Sequence, residues 1–481
     1  MRRLWIFGLA VMMTAGSASA QRPQPGAEGI GDPYFPELGN GGYDVQHYTI
    51  DLSADVAANM IDGTVTIDAT ATQDLSAFNL DFVGFAIETL TVNGVDAAYT
   101  RDFHELRIMP VTPLVEGDAF TVAVTYSGIP GDDAPGGASA FAEGWVNYGE
   151  GVFVASEPSG AARWFPSNDH PLDKATFTFR IRVPEPYVVA ANGLLQETID
   201  EGDETTYVWH TASPMATYLA TVNIGQFQRH DQDGPDGLPM RNYFPSRLAN
   251  RGASVFAEQP DMLEFFSDTF GPYPFEAYGV VVADTDLSFA LETQTMSLFG
   301  NGILGPFSLG TSSEAVIAHE LAHQWFGNSV TLGRWQDIWL NEGFATYAQA
   351  LWIEQDRGAA AMDDYLRDIY ALLASDAFSL QGVVAPGKPS RNQLFHNSVY
   401  LRGAWTLHAL RLNVGDETFL EILRTYYERF AYGNVTTADF IAVAEEVSGE
   451  NLSDLFDAWL YADRVPDVPE MGLTSQPAAA E

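Results

Sequence analysis

Between residues 43 and 229 apolar and polar positions alternate in short runs, the two-residue period of strands with one buried face. The clearest runs are 60–67, 87–92, 120–126, 177–183 and 218–222, with turn signals such as Asn93-Gly94 between them. Short strands in close succession predict an antiparallel, sandwich-like β domain. The turn cluster Asp231-Gln232-Asp233-Gly234-Pro235-Asp236-Gly237 then marks the domain boundary. Beyond it the period lengthens, predicting helices over 260–270, 312–326, 341–354, 400–413, 417–430 and 437–447, with one short strand at 279–283. Residues 21–42 are rich in Pro and Gly and read as a linker or an arm lying over the surface. Pro466, Pro469 and Pro477 make 464–481 read as a disordered tail. The fold class is therefore α+β and multidomain: a β domain over 43–229 and a mainly helical domain over 230–463.

Composition agrees with two cores. A chain of 481 residues with 46% hydrophobic side chains is too long to bury its apolar surface in one. Arg2 and Arg3, the apolar stretch 4–13 and the small residues Ala18-Ser19-Ala20 predict a signal peptide over 1–20 and an exported product. No other segment approaches the length of a membrane span. The chain has no cysteine, which excludes disulfides, cysteine zinc ligands and thiol nucleophiles. Export without disulfides fits a bacterial periplasm or culture medium. The net charge of −41, with Lys174 and Lys388 the only lysines, argues against nucleic acid or anionic membranes as partners.

One stretch carries chemistry. His319-Glu320-Leu321-Ala322-His323 lies in the 312–326 helix, where residues four apart share a face, so two imidazoles can reach one ion. Glu342, on the next predicted helix, can supply a third ligand. Three protein ligands and one open position are the pattern of a catalytic zinc, one per chain. A water in the open position would have its pKa lowered to about 7, and Glu320 is placed to take its proton during attack on a carbonyl. This predicts a hydrolase acting on peptides.

The surrounding residues sharpen the reading. His319-Glu320-x-x-His323, eighteen further residues and Glu342 stand inside His-Gln-Trp-Phe-Gly-Asn and Trp-Leu-Asn-Glu-Gly-Phe-Ala, and this resembles the aminopeptidase N family of gluzincin metallopeptidases in its short bacterial two-domain form. Phe289-Ala290-Leu291-Glu292-Thr293 stands where that family has Gly-Ala-Met-Glu-Asn, and Val399-Tyr400-Leu401-Arg402-Gly403-Ala404 resembles its Tyr-Glu-Lys-Gly-Ala element. The run from Glu157-Pro158 to Arg163-Trp164-Phe165-Pro166-Ser167-Asn168-Asp169 resembles a β-domain motif of the family. The resemblance implies a thermolysin-like catalytic domain and peptide substrates with a free N-terminus. It implies that Glu292, with Glu157 as a second carboxylate, binds the substrate ammonium, and that the Tyr400 hydroxyl stabilises the oxyanion.

The chain departs from that pattern in places. Phe289, Leu291 and Thr293 replace the family's Gly, Met and Asn, and Ala155 stands where a glutamine often precedes the β-domain motif. Thr346, four residues after Glu342, replaces the aspartate of thermolysin-type endopeptidases. The chain ends soon after Trp459-Leu460-Tyr461, so the large C-terminal helical domain of many relatives is not expected. Two other readings stay open: a zinc hydrolase of another class, such as an epoxide hydrolase, and a binding protein on an inactive peptidase fold. Neither side-chain preference nor oligomeric state is legible.

Overall fold

The computed structural model describes residues 22–130, 144–305, 312–375 and 384–475. The signal-peptide expectation lies outside the described residues. In the N-terminal domain an eight-stranded sheet is built around Tyr43–Asp55 and Met60–Ala71, which pair antiparallel along their length. Both alternate buried and exposed positions, as the sequence period requires. Thr176–Pro184 lies on the other side of Tyr43–Asp55 and runs parallel to it, the exception in an otherwise antiparallel sheet. Against it pack a four-stranded sheet containing Leu75–Asp81 and Glu105–Met109, and another containing Val152–Ala155 and Val222–Gly225. Tyr48, Phe165 and Phe177 lie at the centre, Tyr48 stacked on Phe177 with ring centres 4.9 Å apart.

Several expectations are corrected. Residues 218–222 are not one strand: Thr217–Leu219 is a single 3-10 turn, and the strand begins at Val222. Every residue from 215 to 225 is buried, so burial on all sides gave an apolar run with no period to read. The cluster at 231–237 is not a domain boundary but the turn of a hairpin joining Phe227–Asp233 to Pro239–Pro245. That hairpin already belongs to the five-stranded sheet of the second domain, together with Val280–Ala283, Ala290–Leu291 and Ser297–Gly300. The sequence reading expected one strand there. Phe227–Asp233 is almost wholly exposed and Pro239–Pro245 almost wholly buried, so neither alternates, and Ala290–Leu291 is too short to leave a period.

The helices follow the predicted order: α1 (Ala249–Val255), α2 (Gln259–Phe270), α3 (Ser313–Ala322), α4 (Trp339–Arg357), α5 (Ala359–Leu373), α6 (Asn397–Val414), α7 (Asp416–Phe430) and α8 (Thr437–Ser448). Helices α1 and α5 were not anticipated; Met362, Leu366, Ile369, Tyr370 and Leu373 form the buried stripe of α5. Among the described residues no helix is long and apolar enough to cross a membrane.

Both terminal segments are tied down. Gln24–Pro25 pairs with Leu75–Asp81, and buried Asp32 accepts from the Trp335 backbone at 2.8 Å, so the 21–42 arm reaches from the β domain to the catalytic domain. The tail reading fails for its described part, to residue 475. Val465, Val468 and Met471 are buried, and the carbonyls of Arg464, Pro466 and Met471 accept from Arg402, Tyr370 and Arg367. Prolines here stop a helix without preventing packing.

Candidate metal centre

Ser312 caps α3 by accepting from the Ala315 backbone at 3.2 Å, which starts the helix that carries the histidines. The helical turn continues to His323, whose amide donates to the His319 carbonyl. Both rings therefore face one side, with centres 4.6 Å apart. Glu342 lies in the first turn of α4, where the helix dipole favours a carboxylate. Its Oε2 stands 3.2 Å from His319 Nε2 and 3.4 Å from His323 Nε2.

That spacing tests the metal reading. Two ligands about 2.1 Å from a tetrahedral zinc stand about 3.4 Å apart, the separation found here. His323 Nδ1 lies 3.0 Å from the Phe326 carbonyl, which holds the Nδ1 proton and turns Nε2 toward the ion. Gly327, at φ 130°, makes room beneath that ring; a Cβ there would stand 3.1 Å from His323 Nδ1. The field agrees. Burial alone would raise the Glu342 carboxyl, but His323 and His319 hold it down at about 2. Burial opposes charge on His323, yet Glu292 and Glu342 lift it to about 10. A buried site that stabilises positive charge this strongly, with nitrogen and oxygen donors converging, fits zinc.

The structure brings every other sequence-predicted residue to the same place. Glu157, Glu292, Glu320 and Tyr400 line one cavity of about 600 Å³ with the three ligands. Glu320, Glu292 and His323 each bring one donor atom within 4.8 Å of the others. Burial raises the carboxyls of Glu320, Glu292 and Glu157, and for Glu157 the neighbouring Glu292 adds to the shift. Glu157 Oε1 is buried with no hydrogen-bond partner among the described residues. The Tyr400 ring lies nearly parallel to His319, centres 6.1 Å apart.

The Glu292 segment is held from the turn that follows the motif helix. Gln324 and Asn328 side chains donate to the Glu292 carbonyl at 3.1 and 2.7 Å. Thr295, in the left-handed region at φ 65°, donates its backbone N–H to Gln324 Oε1 at 2.9 Å. A β-branched residue in that region is strained, and these bonds hold it there. The departure at 293 is absorbed locally, Thr293 Oγ1 donating to the Met296 carbonyl. Phe289 forms part of the cavity wall, its ring edge-on to Phe153.

Sequence reasoning missed Tyr218, whose hydroxyl makes long contacts to Glu292 Oε1 at 3.5 Å and to the Asn341 amide at 3.4 Å. Nothing in its neighbourhood along the chain marks it. Gln324, Asn328 and Asn341 were also missed, although each lies inside a motif quoted above; amides next to ligands are the signal that could have found them.

Comparison with known proteins agrees with this geometry. The Peptidase M1 N-terminal domain matches residues 44–219 and the Peptidase family M1 domain residues 255–459. Aminopeptidase M1 of Arabidopsis thaliana is 24% identical over 463 residues, covering 91% of this chain and 52% of that protein. Aminopeptidase M1-B of Oryza sativa subsp. japonica is 30% identical over 324 residues, 64% of this chain and 37% of that protein. The chain thus spans about half the length, or less, of these curated relatives. The solved M1 zinc metallopeptidase from Deinococcus radiodurans superposes with a TM-score of 0.81 at 31% identity, covering 94% of this chain and 100% of that one. A mutant of it bound to a Tyr-ser-ala substrate gives 0.82 at 32%, covering 92% and 100%. With both domains matched in order and a solved relative covered end to end, the chain belongs to the M1 peptidase family.

Proposed function

We propose that this protein is a zinc aminopeptidase that removes N-terminal residues from peptides. The observation that carries the reading is the position of Glu292. Its main chain is bonded to the two amides that follow the metal motif, and its carboxylate stands beside Glu320 and His323. A carboxylate fixed at that distance from a hydrolytic centre, with Glu157 on the same wall, suits an ammonium one residue from the scissile carbonyl. The solved relative bound to a Tyr-ser-ala substrate supports the same class.

Zinc held by His319, His323 and Glu342 supplies a Lewis acid and a water of lowered pKa. Glu320 takes the proton of the attacking water and delivers it to the departing amine. Tyr400 donates its hydroxyl to the oxygen on which negative charge develops; burial raises that hydroxyl well above its ordinary range and keeps it a donor. Glu292 and Glu157 bind and orient the ammonium. We also propose export to a bacterial periplasm or medium, which rests on the N-terminal sequence alone.

The test compares free and N-acetylated aminoacyl substrates, with and without chelator. Cleavage of the free forms only, abolished by chelation and restored by zinc, is the expected result. Equal cleavage of both forms would refute the amine-recognition reading.

A further inference from the structure

A second group of ligand-type side chains lies in the β domain, away from the catalytic cavity. Asp81 ends the strand Leu75–Asp81 and stands opposite Glu105, the first residue of the antiparallel strand Glu105–Met109. Asp81, Glu105 and neighbouring His104 each bring one donor atom within 4.8 Å of the others. Asp81 is wholly buried, and all its bonds fall on one oxygen: Oδ2 accepts from the Gly39 backbone at 3.2 Å, the Asn40 amide at 3.2 Å and the Asp169 backbone at 2.8 Å. Its other oxygen, Oδ1, is buried with no partner among the described residues. Glu105 repeats the pattern. Oε2 accepts from Asn79 at 2.9 Å, whereas buried Oε1 has no hydrogen bond and faces His104 Nε2 at 3.6 Å. That ring nitrogen also lies 3.0 Å from the Glu37 carbonyl.

Two carboxylate oxygens out of water without a donor are costly unless a positive charge or a shared proton stands between them. Glu28, Glu37 and Asp102 add negative charge near Glu105, Glu28 itself being paired with Arg107 at 3.4 Å. Carboxylate oxygens beside an imidazole and a main-chain carbonyl are ligands for a divalent ion such as Mn²⁺ or, through the oxygens, Ca²⁺.

We propose that Asp81, Glu105 and His104 form a divalent-cation site that fastens the N-terminal arm to the β domain. Gly39 and Asn40 of the arm are bonded to the same Asp81, and Asp32 further up the arm meets the catalytic domain at Trp335. A cation there stiffens the strap that joins the two domains, independently of the reaction at the zinc.

The test is equilibrium dialysis of the zinc-loaded full chain against Mn²⁺ and, separately, Ca²⁺, with zinc content followed by elemental analysis. One ion per chain beyond the zinc is expected, together with slower proteolytic cleavage of the arm. Glu105→Gln keeps the side-chain shape and an oxygen for Asn79. It should weaken that ion at least about tenfold while zinc content, melting temperature in chelator and peptidase activity stay as in the unmodified chain. Asp81→Asn should do the same where it folds. No ion beyond the zinc at millimolar Mn²⁺ or Ca²⁺ would overturn the proposal and leave a shared proton between the carboxyls. Undiminished binding by Glu105→Gln would overturn it equally.

Discussion

Gly343 of α4 and Gly403 of α6 touch through their backbones: a Cβ built on Gly343 would stand 2.9 Å from the Gly403 Cα, and one on Gly403 would stand 2.9 Å from the Gly343 Cα. Glu342 immediately precedes the first glycine, and Tyr400 lies three residues before the second. The closeness of the two helices therefore sets how far the Tyr400 hydroxyl is from the zinc ligands. Alanine at either position has no flexible neighbour to push aside. Gly343→Ala or Gly403→Ala should cost about 1–3 kcal/mol, the range for overpacking a dense core. Denaturant unfolding measures this, and kcat should fall with it because Tyr400 is displaced. Unchanged stability and kcat in both variants would show that the crossing is not tight.

Tyr400→Phe isolates the hydroxyl. The ring beside His319 remains, so zinc content and melting temperature should stay near those of the unmodified protein. If the hydroxyl donates only as charge develops on the substrate oxygen, kcat should fall roughly 10²–10³-fold with little change in KM. Steady-state kinetics on one aminoacyl substrate decides it. A variant with full kcat returns Tyr400 to packing.

The ligands and Glu320 should separate cleanly. His319→Ala, His323→Ala and Glu342→Ala should each lose most of the zinc, since each removes one of three donors. Glu320→Ala should retain about one zinc per chain and lose turnover, because it supplies no ligand. Elemental analysis beside a rate assay gives both answers. Normal turnover by Glu320→Ala would assign the proton transfer elsewhere.

Glu292→Ala should cost about 2–5 kcal/mol in kcat/KM for substrates with a free amine, the range for losing one partner of a buried charge pair. The peptide backbone at 292 keeps its bonds from Gln324 and Asn328, so folding should be little affected. A variant that cleaves free-amine substrates as well as the parent would remove Glu292 from amine recognition.

Lys174 joins the domains by a single ammonium. It donates to the carbonyls of Asn328, Ser329 and Gly433 at 3.2, 2.9 and 3.2 Å. Lys174→Met keeps the stem but removes the ammonium; Thr331 still donates to the Asn328 and Gly433 carbonyls, so the Ser329 carbonyl loses its donor, and the change should destabilise the protein by about 1–3 kcal/mol. Because Asn328 also holds Glu292, KM for free-amine substrates should rise in the folded variant. Melting temperature and KM measured together check both halves.

The sequence by itself determined the order of the domains, most of the long helices and the whole metal constellation. Each is written in local spacing: the four-residue step from His319 to His323 fixes a helical face, and alternation over Met60–Ala71 fixes a sheet face. The resemblance added Glu292, Glu157 and Tyr400 as candidates, and the fold gathered all three into one cavity. Tertiary structure alone decided the rest. Packing brought Tyr218 to Glu292 and Asn341, and burial on every side left no period from which its position could be read. Turn chemistry at 231–237 looks the same whether it closes a hairpin or separates domains, so only strand pairing showed which it does. The backbone contact of Gly343 with Gly403, the bonds from Asn328 to Glu292, and the meeting of Asp81 with Glu105 join residues distant along the chain. Such contacts follow from packing geometry, which no local pattern of polar and apolar residues encodes.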